Sequence, residues 1–148
     1  MNHAVNATGN SQNNVLIGNK AANVISGGTG DDRLQGNAGA DLLKGGAGAD
    51  TFVYAATTDS TVSLFDRIAD LAGSDRIDLS AIDANTTANG NQAFRIVDAF
   101  TNTAGQMTLD FSAGTGLTTI LMDVNGDGAA DVKIVANGNH EGFNNFVF

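Results

Sequence analysis

The chain has no cysteine, so neither a disulfide framework nor a thiolate metal site is available to it. That composition suits either a reducing compartment or an extracellular protein braced by some other cross-link. No apolar run approaches the roughly 20 residues that a membrane-spanning helix requires. The opening segment MNHAVNATGNSQ lacks the basic and apolar stretches of an amino-terminal signal, so export by that route is not expected. Histidine occurs only at His3 and His140, without an HExxH helix, which leaves zinc hydrolysis without ligands. No GxSxG nucleophile elbow is present either. Cations are few: Lys20, Arg33, Lys44, Arg67, Arg76, Arg95 and Lys133 are scattered, and a net charge of −9 argues against a nucleic-acid partner. Glutamate is almost absent, with Glu141 alone against 15 aspartates.

Aspartate and glycine are what the chain has in quantity, and they fall in a period. Residues 27–53 read GGTGDDRLQ, GNAGADLLK and GGAGADTFV, three nine-residue units with glycine first and aspartate sixth. The frame extends back through GNSQNNVLI (9–17) and GNKAANVIS (18–26), which keep the first glycine but carry asparagine sixth. Five units thus run from Gly9 to Val53, with Leu16, Ile25, Leu34, Leu43 and Phe52 at the eighth position. The glycine-rich half must turn, because glycine inside a strand or helix costs about 0.5–1 kcal/mol relative to alanine. The last three residues of each unit make a short strand whose central side chain points inward. Two units then form one 18-residue coil, and the eighth positions stack into a narrow core between two parallel sheets.

This pattern resembles the calcium-binding parallel β-helix repeat of RTX proteins, G-G-x-G-x-D-x-U-x with U a large aliphatic residue. Calcium takes six to eight oxygens at about 2.3–2.6 Å, which carbonyls and carboxylates supply. In a two-unit coil each loop lies beside the loop 18 residues on, so the ligand loops are Gly27, Gly28, Thr29, Gly30 to Asp32, then Gly36, Asn37, Gly39 to Asp41, then Gly45, Gly46, Ala47, Gly48 to Asp50. The rule pairs Asp32 with Asp50 as the best site and Asp41 with Asp59 as the next. Asn14 and Asn23 offer only a neutral oxygen, and Gln12 and Ala21 replace the fourth-position glycine, so these loops are expected to bind weakly or to cap the stack. Paired carboxylates about 5 Å apart repel by roughly 3 kcal/mol at an effective dielectric near 20. The metal-free roll is therefore expected not to fold, calcium binding supplying the missing free energy.

Beyond Tyr54 the period breaks. Residues 62–72 carry apolar side chains at roughly helical spacing and predict a short amphipathic helix or turn. Segments 93–97, 106–111, 118–123, 131–136 and 146–148 predict antiparallel strands joined by Gly-, Asn- and Thr-rich links. One link, Asp123-Val124-Asn125-Gly126-Asp127-Gly128, matches the first half of an EF-hand loop, but Ile134 stands where the bidentate glutamate belongs. A tight hairpin turn is the better reading; Asp123, Asn125 and Asp127 are kept as weaker metal candidates.

The resemblance then widens. Asp59-Ser60, Asp66-Arg67-Ile68-Ala69-Asp70, Gly73 through Ser80, Asn91 through Phe94 and Ala104-Gly105 follow one another as in the serralysin-type (peptidase M10) C-terminal domain, and the module is similar to the R-modules of mannuronan C5-epimerases. The resemblance implies an all-β fold: a parallel β-roll followed by an antiparallel β-sandwich-like part. It implies a disordered segment at 1–8, the roll at 9–62 and a β cap at 63–148, whose extreme end is read by a type I secretion apparatus. Asp59 falls where the family places a further acidic ligand. Asn144 to Phe148 keeps the family's apolar end without its acidic residue, and the protease zinc motif is missing.

The expected function is a non-catalytic calcium module, monomeric, secreted by a bacterium and fused to a catalytic domain in a longer parent. It would stay unfolded in the calcium-poor cytoplasm and fold outside. The alternative is a module for an anionic polysaccharide such as alginate, for which Lys20, Arg33 and Lys44 are the available cations. They stand at the third, seventh and ninth positions of their units and so do not form one column.

Overall fold

A computed structural model describes residues 3–148 as thirteen short strands and one 3-10 turn at Thr57–Asp59, with no α-helix among them. The strands are β1 (Ala7–Thr8), β2 (Val15–Ile17), β3 (Val24–Thr29), β4 (Arg33–Gln35), β5 (Leu42–Ala47), β6 (Thr51–Val53), β7 (Asp66–Ile68) and β8 (Arg76–Asp78). They are followed by β9 (Arg95–Ile96), β10 (Gln106–Ser112), β11 (Leu117–Asp123), β12 (Val132–Asn137) and β13 (Phe146–Val147). Up to β8, successive strands alternate between two sheets. One sheet has eight strands in the order β1-β3-β5-β7-β12-β11-β10-β9; the other has five in the order β13-β8-β6-β4-β2.

The coil follows from the nine-residue period. Strands β2, β4 and β6 pair in parallel with Leu16 opposite Leu34 and Leu34 opposite Phe52, an 18-residue register. In the other sheet Ile25 stands opposite Leu43. Ile25, Leu34, Leu43 and Phe52 are fully buried, while Leu16 at the open end is only partly covered. Each buried aliphatic or aromatic side chain contributes about 1.5–3 kcal/mol. Glycine is required at Gly28 and Gly46, where φ is +117° and +103° and a Cβ on Gly46 would run into the Gly28 carbonyl one coil away.

The roll does not stop at residue 62. Leu43 pairs on with Ile68, and Phe52 with Ile77, so β7 and β8 continue the coil in the same two sheets. The helix predicted over 62–72 is absent: Val62 and Leu64 are exposed, and Ile68 enters the strand core. The helical spacing was a coincidence of a loop followed by a strand, and hydrogen bonding to an existing sheet edge overrode it. At the other end Ala7–Thr8 pair with Ile25–Ser26, so part of the segment expected to be disordered is an edge strand. The first two residues of that segment lie outside the described residues.

The antiparallel part grows out of the roll. β10, β11 and β12 form an antiparallel meander, and β12 pairs in parallel with β7, which makes the meander an extension of the eight-stranded sheet. Two strands expected to be antiparallel are parallel instead: β9 against β10, and β13 against β8. Their neighbours were decided by which edges remained open. One apolar cluster runs through both parts, from Ile25 and Phe52 to Met122, Ile134 and Phe143.

Candidate metal centres

Each sixth-position residue plays the same structural part. Its backbone amide donates to the carboxylate of the sixth position one coil further on. The Asn14 amide donates to Asp32 Oδ1 at 2.7 Å, that of Asp32 to Asp50 Oδ1 at 2.8 Å, and that of Asp50 to Asp75 Oδ1 at 3.1 Å. On the opposite edge, the Asn23 amide donates to Asp41 Oδ1 at 2.6 Å and that of Asp41 to Asp66 Oδ1 at 2.8 Å. Two columns result, Asn14–Asp32–Asp50–Asp75 and Asn23–Asp41–Asp66.

The columns bring together the predicted loops Gly27–Asp32 and Gly45–Asp50, which lie directly over one another with Gly28 opposite Gly46 and Thr29 opposite Ala47. Gly30 donates its amide to the Ala47 carbonyl at 2.8 Å, and Ala49 donates to Asp31 Oδ1 at 2.8 Å beside Gly48. The loop Gly36–Asp41 stacks instead on residues 18–23, with Asn37 at φ +63° donating its side-chain amide to the Gly18 carbonyl. Asn37 thus takes the left-handed turn that glycine takes in the other two loops.

What each carboxylate does with its second oxygen separates these residues. Oδ2 of Asp32, Asp41, Asp50 and Asp66 is buried and has no hydrogen-bond partner. In Asp32, Asp41 and Asp50 it sits under the first glycine of its own unit, where a Cβ on Gly27, Gly36 or Gly45 would overlap it. Buried polar atoms are almost always partnered. An unpartnered buried carboxylate oxygen, repeated on successive rungs, fits the donor set of a hard cation such as calcium. Among the described residues no three acidic, histidine or cysteine side chains gather in one metal-sized group. A metal site here would have to draw on carboxylates from neighbouring rungs together with main-chain oxygens.

Electrostatics point the same way. Burial, followed by the neighbouring charge of Asp59, lifts the Asp41 carboxyl to about 6 against the backbone bond that lowers it. Asp66 is lifted to about 8 by burial and by the charges of Asp41 and Asp59. Asp50 is raised by burial and by Asp75, Asp32 and Asp70. Asp78, outside the columns, behaves oppositely: burial pushes it up, but bonds from Ser80 and the Arg33 guanidinium at 3.2 Å bring it below the ordinary carboxylate range.

Asparagine closes its own loop. Asn14 Oδ1 accepts the Asn10 amide and Asn23 Oδ1 accepts the Asn19 amide, both at 2.8 Å. Each of these oxygens thus has a backbone partner, unlike the Oδ2 atoms of the aspartates. Asp59 does not take the rung assigned to it. Its Oδ2 accepts the amides of Ala55 and Ala56 at 2.8 and 3.1 Å and so organises the 3-10 turn. The coil spacing grows from 18 to 25 residues here, so Asp66 replaces Asp59 as the partner of Asp41. The 123–131 loop is likewise closed on itself. Asp123 accepts amides from Asn125 and Gly126 on one oxygen and from Gly128 on the other, while Asn125 and Asp127 cap amides two residues on.

Sequence reasoning missed Asp66, Asp70 and Asp75. Asp70, between β7 and β8, takes the amides of Gly45 and Gly46, both at 3.0 Å. The signal was present in Asp66-Arg67-Ile68 and Asp75-Arg76-Ile77, which repeat Asp32-Arg33-Leu34 and stand nine residues apart.

The model of the family described as "Peptidase M10 serralysin C terminal" matches residues 2–148. Metalloprotease AprA of Pseudomonas entomophila is 46% identical over 88 residues, which is 59% of this chain and 18% of that protein. Metallopeptidase AprA of Pseudomonas marginalis is 47% identical over 88 residues, 59% of this chain and 17% of that protein. The chain thus spans less than a fifth of the curated relatives it matches. Two subunits of the mannuronan C5-epimerase of Azotobacter vinelandii share the fold. The AlgE6R2 solution structure matches with a TM-score of 0.64 at 23% identity over 95% of this chain and 91% of that one. For AlgE6R3 the TM-score is 0.69 at 27% identity over 97% and 78%. With its two-column roll and a family match over almost every residue, this chain belongs to the peptidase M10 serralysin C-terminal family.

Proposed function

We propose that this RTX-type module binds calcium along its two aspartate columns, folds when it does so, and thereby supports export and stability of a secreted bacterial enzyme. The observation that carries this reading is the set of buried, unpartnered Oδ2 atoms on Asp32, Asp41, Asp50 and Asp66. Without a counter-charge these carboxylates repel along each column and hold the coils apart. Calcium, when bound, supplies that counter-charge. Asp32, Asp50 and Asp75 serve one column and Asp41 and Asp66 the other, with the carbonyls of Gly27–Gly30 and Gly45–Gly48 completing the first. In calcium-poor cytoplasm such a chain stays extended and can thread an exporter. Outside the cell, millimolar calcium lies in the range at which extracellular modules bind, about 10⁻⁴–10⁻³ M.

In this reading the catalysis belongs to a fused domain, the apolar end Phe146–Phe148 addresses a type I secretion apparatus, and the module itself is a monomer. Calcium titration by calorimetry, with circular dichroism on the same samples, tests it. Strand content and heat uptake should rise together; equal strand content in chelator and in millimolar calcium would sink the idea.

A second reading, binding of an anionic polysaccharide, takes support from the R-module likeness and from one alignment of charge. Arg33 and Arg76 occupy the same register position, two rungs apart, on the five-stranded sheet, with Thr51 between them. Lys44 lies on the other sheet and Lys20 in a loop, so the three cations first considered do not line one track. Alginate oligomers titrated in calcium should shift Arg33 and Arg76 resonances if this reading holds.

A further inference from the structure

Asparagine followed by glycine occurs at Asn89-Gly90, Asn125-Gly126 and Asn137-Gly138. The pairing matters chemically because glycine has no side chain to shield its amide nitrogen. That nitrogen can attack Cγ of the preceding asparagine. The new N–Cγ bond closes a five-membered succinimide, the Cγ–Nδ2 bond breaks, and the amide proton leaves with the side-chain nitrogen as ammonia. Water then opens the ring at either carbonyl, giving aspartate or isoaspartate and a gain of one negative charge. The attack requires that the glycine nitrogen and the asparagine Cγ be free to approach each other.

The fold treats the three pairs unequally. The Gly126 amide donates to Asp123 Oδ1 at 2.6 Å, and this anionic acceptor opposes loss of its proton. Asn125 is held at both ends of its side chain, Nδ2 donating to Asp131 Oδ1 at 3.0 Å and Oδ1 accepting the Asp127 amide at 2.8 Å. Gly138 donates its amide to the Gly116 carbonyl at 2.8 Å, and Asn137 Oδ1 accepts Arg67 Nε at 2.7 Å. Asn137 also ends β12, in register with Leu117 of β11. At Asn89-Gly90 both residues are exposed, and the Asn89 carbonyl accepts Gln92 Nε2 at 2.9 Å. Neither the Asn89 side chain nor the Gly90 amide has a hydrogen-bond partner among the described residues. The chain is pinned on either side, by the Thr86 amide on the Val124 carbonyl at 3.0 Å and by Asn91 Nδ2 on the Ser80 carbonyl at 2.8 Å. A change at Asn89 therefore stays local.

We propose that Asn89 is a site of spontaneous modification in the folded module, converted to aspartate and isoaspartate by the Gly90 amide and water, while the fold keeps Asn125 and Asn137 intact. Isoaspartate lengthens the main chain by one carbon. An exposed loop absorbs that insertion, whereas a strand end such as Asn137 or a turn as closely bonded as 123–131 does not. The chemistry is independent of any ion in the columns.

Peptide mapping by mass spectrometry tests this, during incubation at mildly alkaline pH, on the folded protein in saturating calcium and on the same chain in guanidinium. In guanidinium the three asparagines should convert at similar rates. In the folded protein Asn89 should keep close to that rate, while Asn125 and Asn137 should each slow at least about tenfold. A local opening that costs about 1.4 kcal/mol already gives that factor. Isoaspartyl methyltransferase with a labelled methyl donor should mark Asn89 alone in the folded sample, and Asn89→Ser should abolish the mark. Circular dichroism should show unchanged strand content after conversion. Asn89 slowed as strongly as the other two, or either of them keeping pace with it, would overturn the proposal. So would a loss of strand content in step with conversion at Asn89.

Discussion

The first coil and the two that follow it share a backbone frame and differ in charge. Asn14 and Asn23 donate their amides to the next rung just as Asp32 and Asp41 do, and Leu16 and Ile25 stack on the same inner columns as Phe52 and Ile68 respectively. Acid is therefore not needed to build a coil. What aspartate adds is a second oxygen that the protein leaves unpartnered, whereas the asparagine oxygen is consumed within its own loop. One end of the roll is complete as a protein structure. In the proposed reading the other is completed by a counter-charge.

Removing the counter-charge should have the largest effect on this contrast. A site filled at 100 times its Kd stabilises by about 2.7 kcal/mol, and several sites together exceed the stability of a small domain. Chelator should abolish the cooperative thermal transition, and Asp32→Asn combined with Asp41→Asn and Asp50→Asn should erase the difference between melts in calcium and in chelator. Next in size is the glycine that keeps a coil off its neighbour. Gly46→Ala should cost about 1–3 kcal/mol in calcium, because φ is +103° and the added Cβ meets the Gly28 carbonyl. Gly73→Ala, with open space around the added carbon, should change the melting temperature little.

The pH dependence of the metal-free chain should be smaller and of unusual sign. Asp66 and Asp41 are raised in the fold to about 8 and about 6, from 3.8. Between 3.8 and those values the folded chain binds more protons than the unfolded one, so stability falls as pH rises across that window. Metal-free samples should gain strand signal on acidification from pH 8 toward 5. In saturating calcium the slope should reverse, because protons then compete with the ion. The smallest effect should come from Asn14→Asp. That loop keeps Gln12 at its fourth position and lacks the left-handed second residue seen at Gly28, Asn37 and Gly46, so the calorimetric ion count should not change.

Much of the roll was legible in advance because its signals are local and periodic. Glycine and aspartate at fixed offsets gave the turns, and the eighth-position aliphatics gave the inner columns. Reading failed where the period slipped. Asp59 stood at the right distance from Asp41 along the chain, but the segment from Tyr54 to Ser60 loops out and resets the count, so Asp66 occupies the rung. Ser60 fixes that loop from its far end, donating its hydroxyl to the Lys133 carbonyl and accepting the Asp66 amide. Lys133 is 73 residues away in sequence, and no local pattern reports it.

The sequence by itself determined the nine-residue turn-and-strand unit, its two-unit coil and the acids at the sixth position, since backbone sterics and side-chain alternation act within a few residues. Tertiary structure decided how far the roll runs, that the meander joins its eight-stranded sheet, and which acids share a rung. Those outcomes depend on open sheet edges competing for partners and on a loop whose length is counted only once both of its ends are held. A column of carboxylates is a property of stacked coils, and stacking is settled in space.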